Sequence, residues 1–210
     1  HLIGYSIPVK KYLSKEELFK NLYFLKKQPN AIPYLTSYYK KKWGFCLSYN
    51  QYKILDKQYS SNNKFKVVIN SSLNINGNLN YGEIILKGKS KKEVLISTYI
   101  CHPSMANNEL SGVCVVTFLA KWLIELPKTN YSYRIIFVPE TIGSITYLSH
   151  NYKYMKEKIF AGFNVSCVGD DRAYSYIPSR NGKTTSDFIA KHVLKWVDPK
   201  FIKYTWLNRG

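Results

Sequence analysis

Residues 90–206 alternate short β-branched runs with helical patterns, which predicts an α/β fold: a mainly parallel sheet flanked by helices. Residues 34–86 instead carry extended runs around the turn Asn76-Gly77-Asn78, which predicts a small β-rich accessory module. With 45% apolar residues and a mean hydropathy of -0.28, the 210-residue chain can bury a core. No apolar run approaches the ~18–20 residues of a membrane-spanning helix. The longest, Leu110 to Leu126, is broken by Lys121 and Glu125. The expected division is 1–86, an N-terminal segment with the β-rich module, and 87–210, the α/β core.

The elements follow in order. Residues 14–27 read as a helix, because Ser14 and Glu17 form a capping box and Leu18, Leu22 and Leu25 recur at helical spacing. Pro29 and Pro33 stop it. The Tyr- and Trp-rich stretch from Tyr34 to Tyr52 has no clear period. Phe65–Ile69 and Gly82–Leu86 read as partner strands across the turn. Gly88-Lys89-Ser90 resembles the end of a phosphate loop, but the preceding Gly82 is wrongly spaced and lies in a strand. Val94–Ile100 is a strand, followed by a helix capped at Asn107 that carries Leu110, Val113, Cys114, Phe118 and Trp122. Strand Tyr133–Val138, a short helix Ile142–Ser149, strand Phe160–Val168 and helix Thr185–Val197, packing Phe188, Val193 and Trp196, complete the pattern.

Charge narrows the partners. Lys+Arg number 31 against 13 Asp+Glu, a net +18, which would attract an anionic polymer or surface. The lysines are spread along the chain, however, and the longest basic run is Lys40-Lys41-Lys42. No zinc finger, arginine-rich helix or RNA-binding aromatic signature accompanies them. A solvated lysine surface is the expectation, with neither nucleic acid nor membrane as partner. The four cysteines, Cys46, Cys101, Cys114 and Cys167, form no CxxC pair and no secretion signal precedes them, so free thiols in the cytoplasm are expected. Oligomeric state is not encoded in any of these patterns.

Ligands of open α/β sheets bind beyond the carboxyl ends of the strands. His102, Glu140 and Asp170 each follow a predicted strand, and Glu109 opens the helix after His102. Imidazole and carboxylate are donors zinc prefers, and a carboxylate beside the metal can take a proton from water. The candidate set is therefore His102, Glu109 and Asp170 as zinc ligands, with Glu140, placed by Pro139, as general base. Each has a simpler reading: His102 as a structural residue, Glu109 as a helix-dipole partner, Asp170 and Asp171 as turn residues.

The segments SIPV (6–9), AIPYLTSYYKKKWGFC (31–46), STYICHPSMANNELSG (97–112), FVPETIGSITYLS (137–149) and AGFNVSCVGDDRAYSY (161–176) give the chain a family resemblance. It resembles bacterial aminopeptidase-like proteins of the domain-of-unknown-function type, distant relatives of zinc leucyl aminopeptidases. The resemblance implies a zinc-exopeptidase-like fold, a peptide or amide substrate, zinc as cofactor, His102 as the first metal-binding histidine and Glu140 as general base. It also implies departures. Asn108 falls where a metal-bridging Asp is expected, Thr141 replaces the second Glu of a pair, and Ser166 lies where another Asp is expected. The family's second metal-binding histidine falls beyond Gly210, which marks the chain as C-terminally truncated. The alternative is a catalytically decayed peptidase fold acting as a binding protein, with a link to polysaccharide biosynthesis. A third reading makes Cys101 or Cys167 a nucleophile with His102 or His150 as base. Strand alternation would point Cys101 and His102 to opposite faces, against direct pairing.

Overall fold

The computed structural model describes residues 1–37, 40–102 and 104–208, and they form two compact units, His1–Gly77 and Asn78–Gly210. The first contains strand β1 (Val9–Ser14), helix α1 (Lys15–Phe19), strands β2 (Leu22–Tyr23) and β3 (Phe45–Cys46), helix α2 (Tyr49–Gln58) and strand β4 (Lys64–Ile69). β1 and β4 pair antiparallel, and their inward residues Val9, Leu13, Val67 and Ile69 form the core of this unit. The capping box at Ser14 and Glu17 is present, but α1 ends after one turn rather than reaching residue 27. Asn21 donates its side-chain amide to Glu17 O at 3.0 Å, and Leu22–Tyr23 leaves to pair with Phe45–Cys46. A helix of that length is marginal alone, so pairing with a distant strand overrides its periodicity. Helix α2 lies partly in the stretch read as irregular. Its signal was a second capping box, in which Ser48 Oγ accepts from Gln51 N and Gln51 Oε1 accepts from Ser48 N.

The second unit contains β5 (Gly82–Leu86), β6 (Glu93–Tyr99), a π-helical turn (Ala106–Leu110), α3 (Ser111–Glu125), β7 (Ser132–Val138), α4 (Ile142–Lys158), β8 (Ile159–Asn164), β9 (Ser175–Tyr176), α5 (Thr185–Val197) and β10 (Ile202–Lys203). The main sheet runs β5-β7-β6-β8. β6 is parallel to both neighbours, whereas β5 is antiparallel to β7. The fold is thus mixed α/β with small sheets, and the expectation of a mainly parallel architecture is corrected. The pairing of β4 with β5 is corrected too. Val67 and Ile69 match the apolar face of β1, whereas Ile84 and Leu86 pack with Ile96 and Ile135, so the apolar patterns separate the two strands. No described helix is long and apolar enough to cross a membrane.

Strand alternation gives the sheet two apolar faces. On one, Ile96 and Ile135 meet Val116, Ala120 and Leu123 of α3. On the other, Ile136 and Val138 meet Tyr147 and Met155 of α4. α3 does not bury the face expected from Phe118 and Trp122, which are 71% and 55% exposed. The helix is apolar nearly all round, so period alone selects no face. Its small residues settle the choice: a β-carbon at Gly112 would collide with the Val165 carbonyl and Thr98 Oγ1, so the close approach requires glycine. In α5, Phe188, Val193 and Trp196 are likewise exposed rather than packed, and the buried side chain is Asp187.

The buried charged side chains of this unit have defined partners, whereas the buried Thr98 hydroxyl has none among the described residues. Arg134, 5% exposed, donates to Glu93 Oε2 at 2.7 Å, to Glu83 Oε1 at 2.5 Å and to the Tyr147 hydroxyl at 2.9 Å. One guanidinium therefore ties β5, β6, β7 and α4. Burial pushes the Tyr147 hydroxyl up to about 12, helped by its bond to Glu83. Asp187 accepts from Tyr176 Oη, the backbone N–H and hydroxyl of Ser179, and the backbone N–H and hydroxyl of Thr184. Burial alone would raise its pKa, but these donors hold it well below the usual carboxylate range.

Removing one partner of a buried ion pair strands the other charges, so Arg134→Ala should cost about 3–5 kcal/mol in urea unfolding. Asp187 has a depressed folded pKa, so its contribution is complete above the unfolded value of about 4 and disappears as pH falls through the folded value. Asp187→Asn should therefore be less stable than the parent at neutral pH, by roughly 2 kcal/mol. Thermal unfolding should show that gap shrinking as the solution is acidified below about pH 4.

Candidate active site

β6 and β7 run parallel in register through Tyr99 and Val138, and Ile100 N extends the ladder to Val138 O at 3.2 Å. The two chains therefore leave the sheet side by side, one into Cys101-His102 and the other into Pro139-Glu140. His102 and Glu140 come together, with Nε2 4.0 Å from Glu140 Oε2. The Glu140 side chain is 57% exposed, as a group that meets a ligand must be.

Two local irregularities hold this rim. After Glu140 the chain turns through Thr141 at φ 58, ψ −77, a conformation costly for a β-branched residue. α4 then starts against Pro139, where a β-carbon at Gly143 would lie 2.5 Å from the proline Cδ. After His102 the expected Asn107-capped helix is replaced by the π-helical turn, in which Leu110 N donates to Met105 O at 3.1 Å. The wider turn carries Glu109 inward until it is 2% exposed. Its carboxylate accepts from the His102 backbone N–H at 2.5 Å and meets His102 Nδ1 at 2.9 Å. Asn107, freed from capping, instead accepts from Gly169 N at 2.7 Å and donates to Asp170 Oδ2 at 2.6 Å.

Asp170 does not follow a strand directly. β8 ends at Asn164, and a loop through Cys167 at φ 54 intervenes. The Arg172 guanidinium beside it, with help from Asn107, holds the Asp170 carboxyl below its ordinary range. Of the candidate residues, the structure gathers His102, Glu109 and Glu140 and commits Asp170 to Asn107 and Arg172.

Cys101 joins the site, contrary to the alternation argument. Its Sγ lies 3.2 Å from His102 Nδ1 and accepts from Glu140 N at 3.2 Å. β6 has already ended at Tyr99, so alternation no longer governs residues 101 and 102. The available signal was Pro103, which marks a turn immediately after them. Burial pushes the Cys101 thiol up, and the carboxylates of Glu109 and Glu140 add to the effect. A neutral thiol that shares Nδ1 with Glu109 is poorly set up as a nucleophile. Tyr99 completes the floor. Its hydroxyl donates to Asn108 O at 3.0 Å and Oδ1 at 3.1 Å, and its ring meets His102 edge-on at 6.0 Å.

The donor set fits a single cation. Ligand atoms of Cys101, His102 and Glu140 all lie within 4.8 Å of one another, and Glu109 occupies the other side of the imidazole, as carboxylates commonly do behind metal-bound histidines.

The chain is 45% identical over 195 residues to a Clostridium acetobutylicum protein provisionally named a polysaccharide biosynthesis protein with an aminopeptidase-like domain, covering 92% of this chain and 43% of the relative. A crystal structure of a Clostridium acetobutylicum protein, provisionally named a peptidase, matches with a TM-score of 0.89 and 42% identity over 98% of this chain and 47% of that one. The chain thus spans less than half the length of either protein. The model of the domain of unknown function DUF4910 matches residues 6–210, and the chain belongs to that family.

Proposed function

We propose that this chain carries the catalytic rim of a zinc-dependent, aminopeptidase-like hydrolase that cleaves an amide or peptide bond with activated water. The reading includes a zinc-exopeptidase-like fold and a distant kinship with zinc leucyl aminopeptidases. Its main support is the meeting of His102 and Glu140 at the ends of adjacent parallel strands, with Glu109 behind the imidazole. The aminopeptidase-like and peptidase names of the relatives agree with it. His102 would hold the cation through Nε2. Glu109 orients the ring by accepting from Nδ1–H, so it acts on the ligand rather than on the cation. Asp170 shapes the loop after β8 through Asn107. Bound zinc would acidify a water and polarise the substrate carbonyl. Glu140, exposed at the rim with Oε2 4.0 Å from His102 Nε2, would take a proton from such a water and return it to the leaving amine.

A second reading has one specific observation behind it. Asn108, neutral where the family resemblance expects a bridging carboxylate, has its side-chain oxygen occupied by the Tyr99 hydroxyl. That suits a decayed peptidase fold acting as a binding protein, and the polysaccharide-biosynthesis name of the relative gives it a context.

The experiment uses the intact protein, elemental analysis and a panel of aminoacyl chromogenic amides. Glu140→Gln should retain zinc and lose turnover by about 10²–10⁴-fold, the usual worth of general base catalysis. His102→Ala should lose the metal itself. Equal, full zinc occupancy in both variants would place the cation elsewhere, and a parent protein free of zinc would favour the binding reading. Glu109→Gln should bind zinc roughly 10–100-fold more weakly in a chelator competition while keeping its fold.

A further inference from the structure

A divalent cation beside His102 is favoured by anionic donors, because the imidazole ligates in its neutral form. The nearby candidates can be taken in turn. Glu109 is buried and spends one carboxylate oxygen on both the backbone N–H and Nδ1 of His102. Asp170 is bound to Arg172 and Asn107. Asn108 carries no charge, and its Oδ1 accepts from Tyr99. Cys101 and Glu140 remain, and their donor atoms stand within 4.8 Å of each other and of a His102 ring nitrogen.

We propose that Cys101 is a thiolate ligand of this site, so that the cation is held by sulfur and nitrogen from the consecutive residues Cys101 and His102. This rests on the reading that His102 binds a cation and adds a ligand to it. The Glu140 backbone N–H that donates to Cys101 Sγ at 3.2 Å aims the sulfur. On binding, the S–H proton is released to solvent and a metal–sulfur bond takes its place, with no change in oxidation state. The sulfur also relieves Glu140 of ligation, which leaves that carboxylate available as a base. A sulfur–nitrogen donor pair selects zinc, cobalt or cadmium and discriminates against magnesium and calcium, which favour oxygen.

Cobalt(II) added to the metal-free intact protein tests this without any substrate. The parent should develop an intense near-ultraviolet thiolate-to-cobalt charge-transfer band along with its visible bands. Cys101→Ser should lose the charge-transfer band and bind cobalt more weakly by more than the ~10–100-fold typical of losing a supporting partner. Cys167→Ser, altering the other thiol near Asn108, should keep the band. If Cys101→Ser does not fold, the parent supplies the answer: zinc should protect Cys101 from alkylation by iodoacetamide, read by peptide mass spectrometry. Cobalt bound with visible bands but no charge-transfer band, or unchanged alkylation in zinc, would overturn Cys101 as a ligand and leave the His102 cation site standing. Failure of the parent to bind cobalt at all would overturn both.

Discussion

The arrangement of this molecule's candidate site depends on the parallel register of β6 and β7. Because Tyr99 stands opposite Val138, the two strands finish together and deliver Cys101-His102 and Pro139-Glu140 to the same edge. A shift of one residue would move every side chain to the other face and separate the imidazole from the carboxylate. The register is secured from below by apolar packing on both faces and by Arg134, whose guanidinium reaches Glu93 on β6 and Glu83 on β5 from its own place on β7. The buried charge is tolerated because its donors meet carboxylates and a phenol, as a low-dielectric interior requires.

Above that frame the rim departs from regular geometry beside the candidate site residues. The π-helical turn at 106–110 and the left-handed Thr141 are both unfavourable locally, and they flank His102 and Glu140. The turn serves to bring Glu109 into the protein, beneath the imidazole. Thr141 reverses the chain at once, so Glu140 remains at the mouth rather than inside α4. Local cost of this kind persists only where the packed layers below compensate for it.

Charge and exposure fit this picture. The +18 balance is spread rather than gathered, and buried acids are used sparingly: Glu93, Glu109 and Asp187 each have a defined set of donors. Large apolar side chains on α3 and α5 stay at the surface, among them Phe118 and Trp196. The relatives are more than twice as long as the matched region, so the chain corresponds to one part of a larger protein in those cases.

The sequence by itself determined the order of the longer strands and helices from β6 to α5, the boundaries of α5 and the residues His102 and Glu140 at strand ends. These follow from short-range signals: β-branched runs, capping boxes, and Pro or Gly punctuation. It did not determine partners. β4 went to β1 and β5 to β7 because apolar faces match over long distances, which local pattern does not encode. The buried face of α3 was chosen by Gly112 and Ala120, since only small residues permit the helix to approach the sheet that closely. Glu109 was legible as a site residue, but its place behind His102 required the π-helical turn. Cys101 was invisible to strand alternation because the strand had already ended, and only the closing together of β6 and β7 put its sulfur beside the imidazole and the Glu140 backbone. Residue types near a site are written locally, whereas which atoms meet is settled by register and packing across the whole sheet.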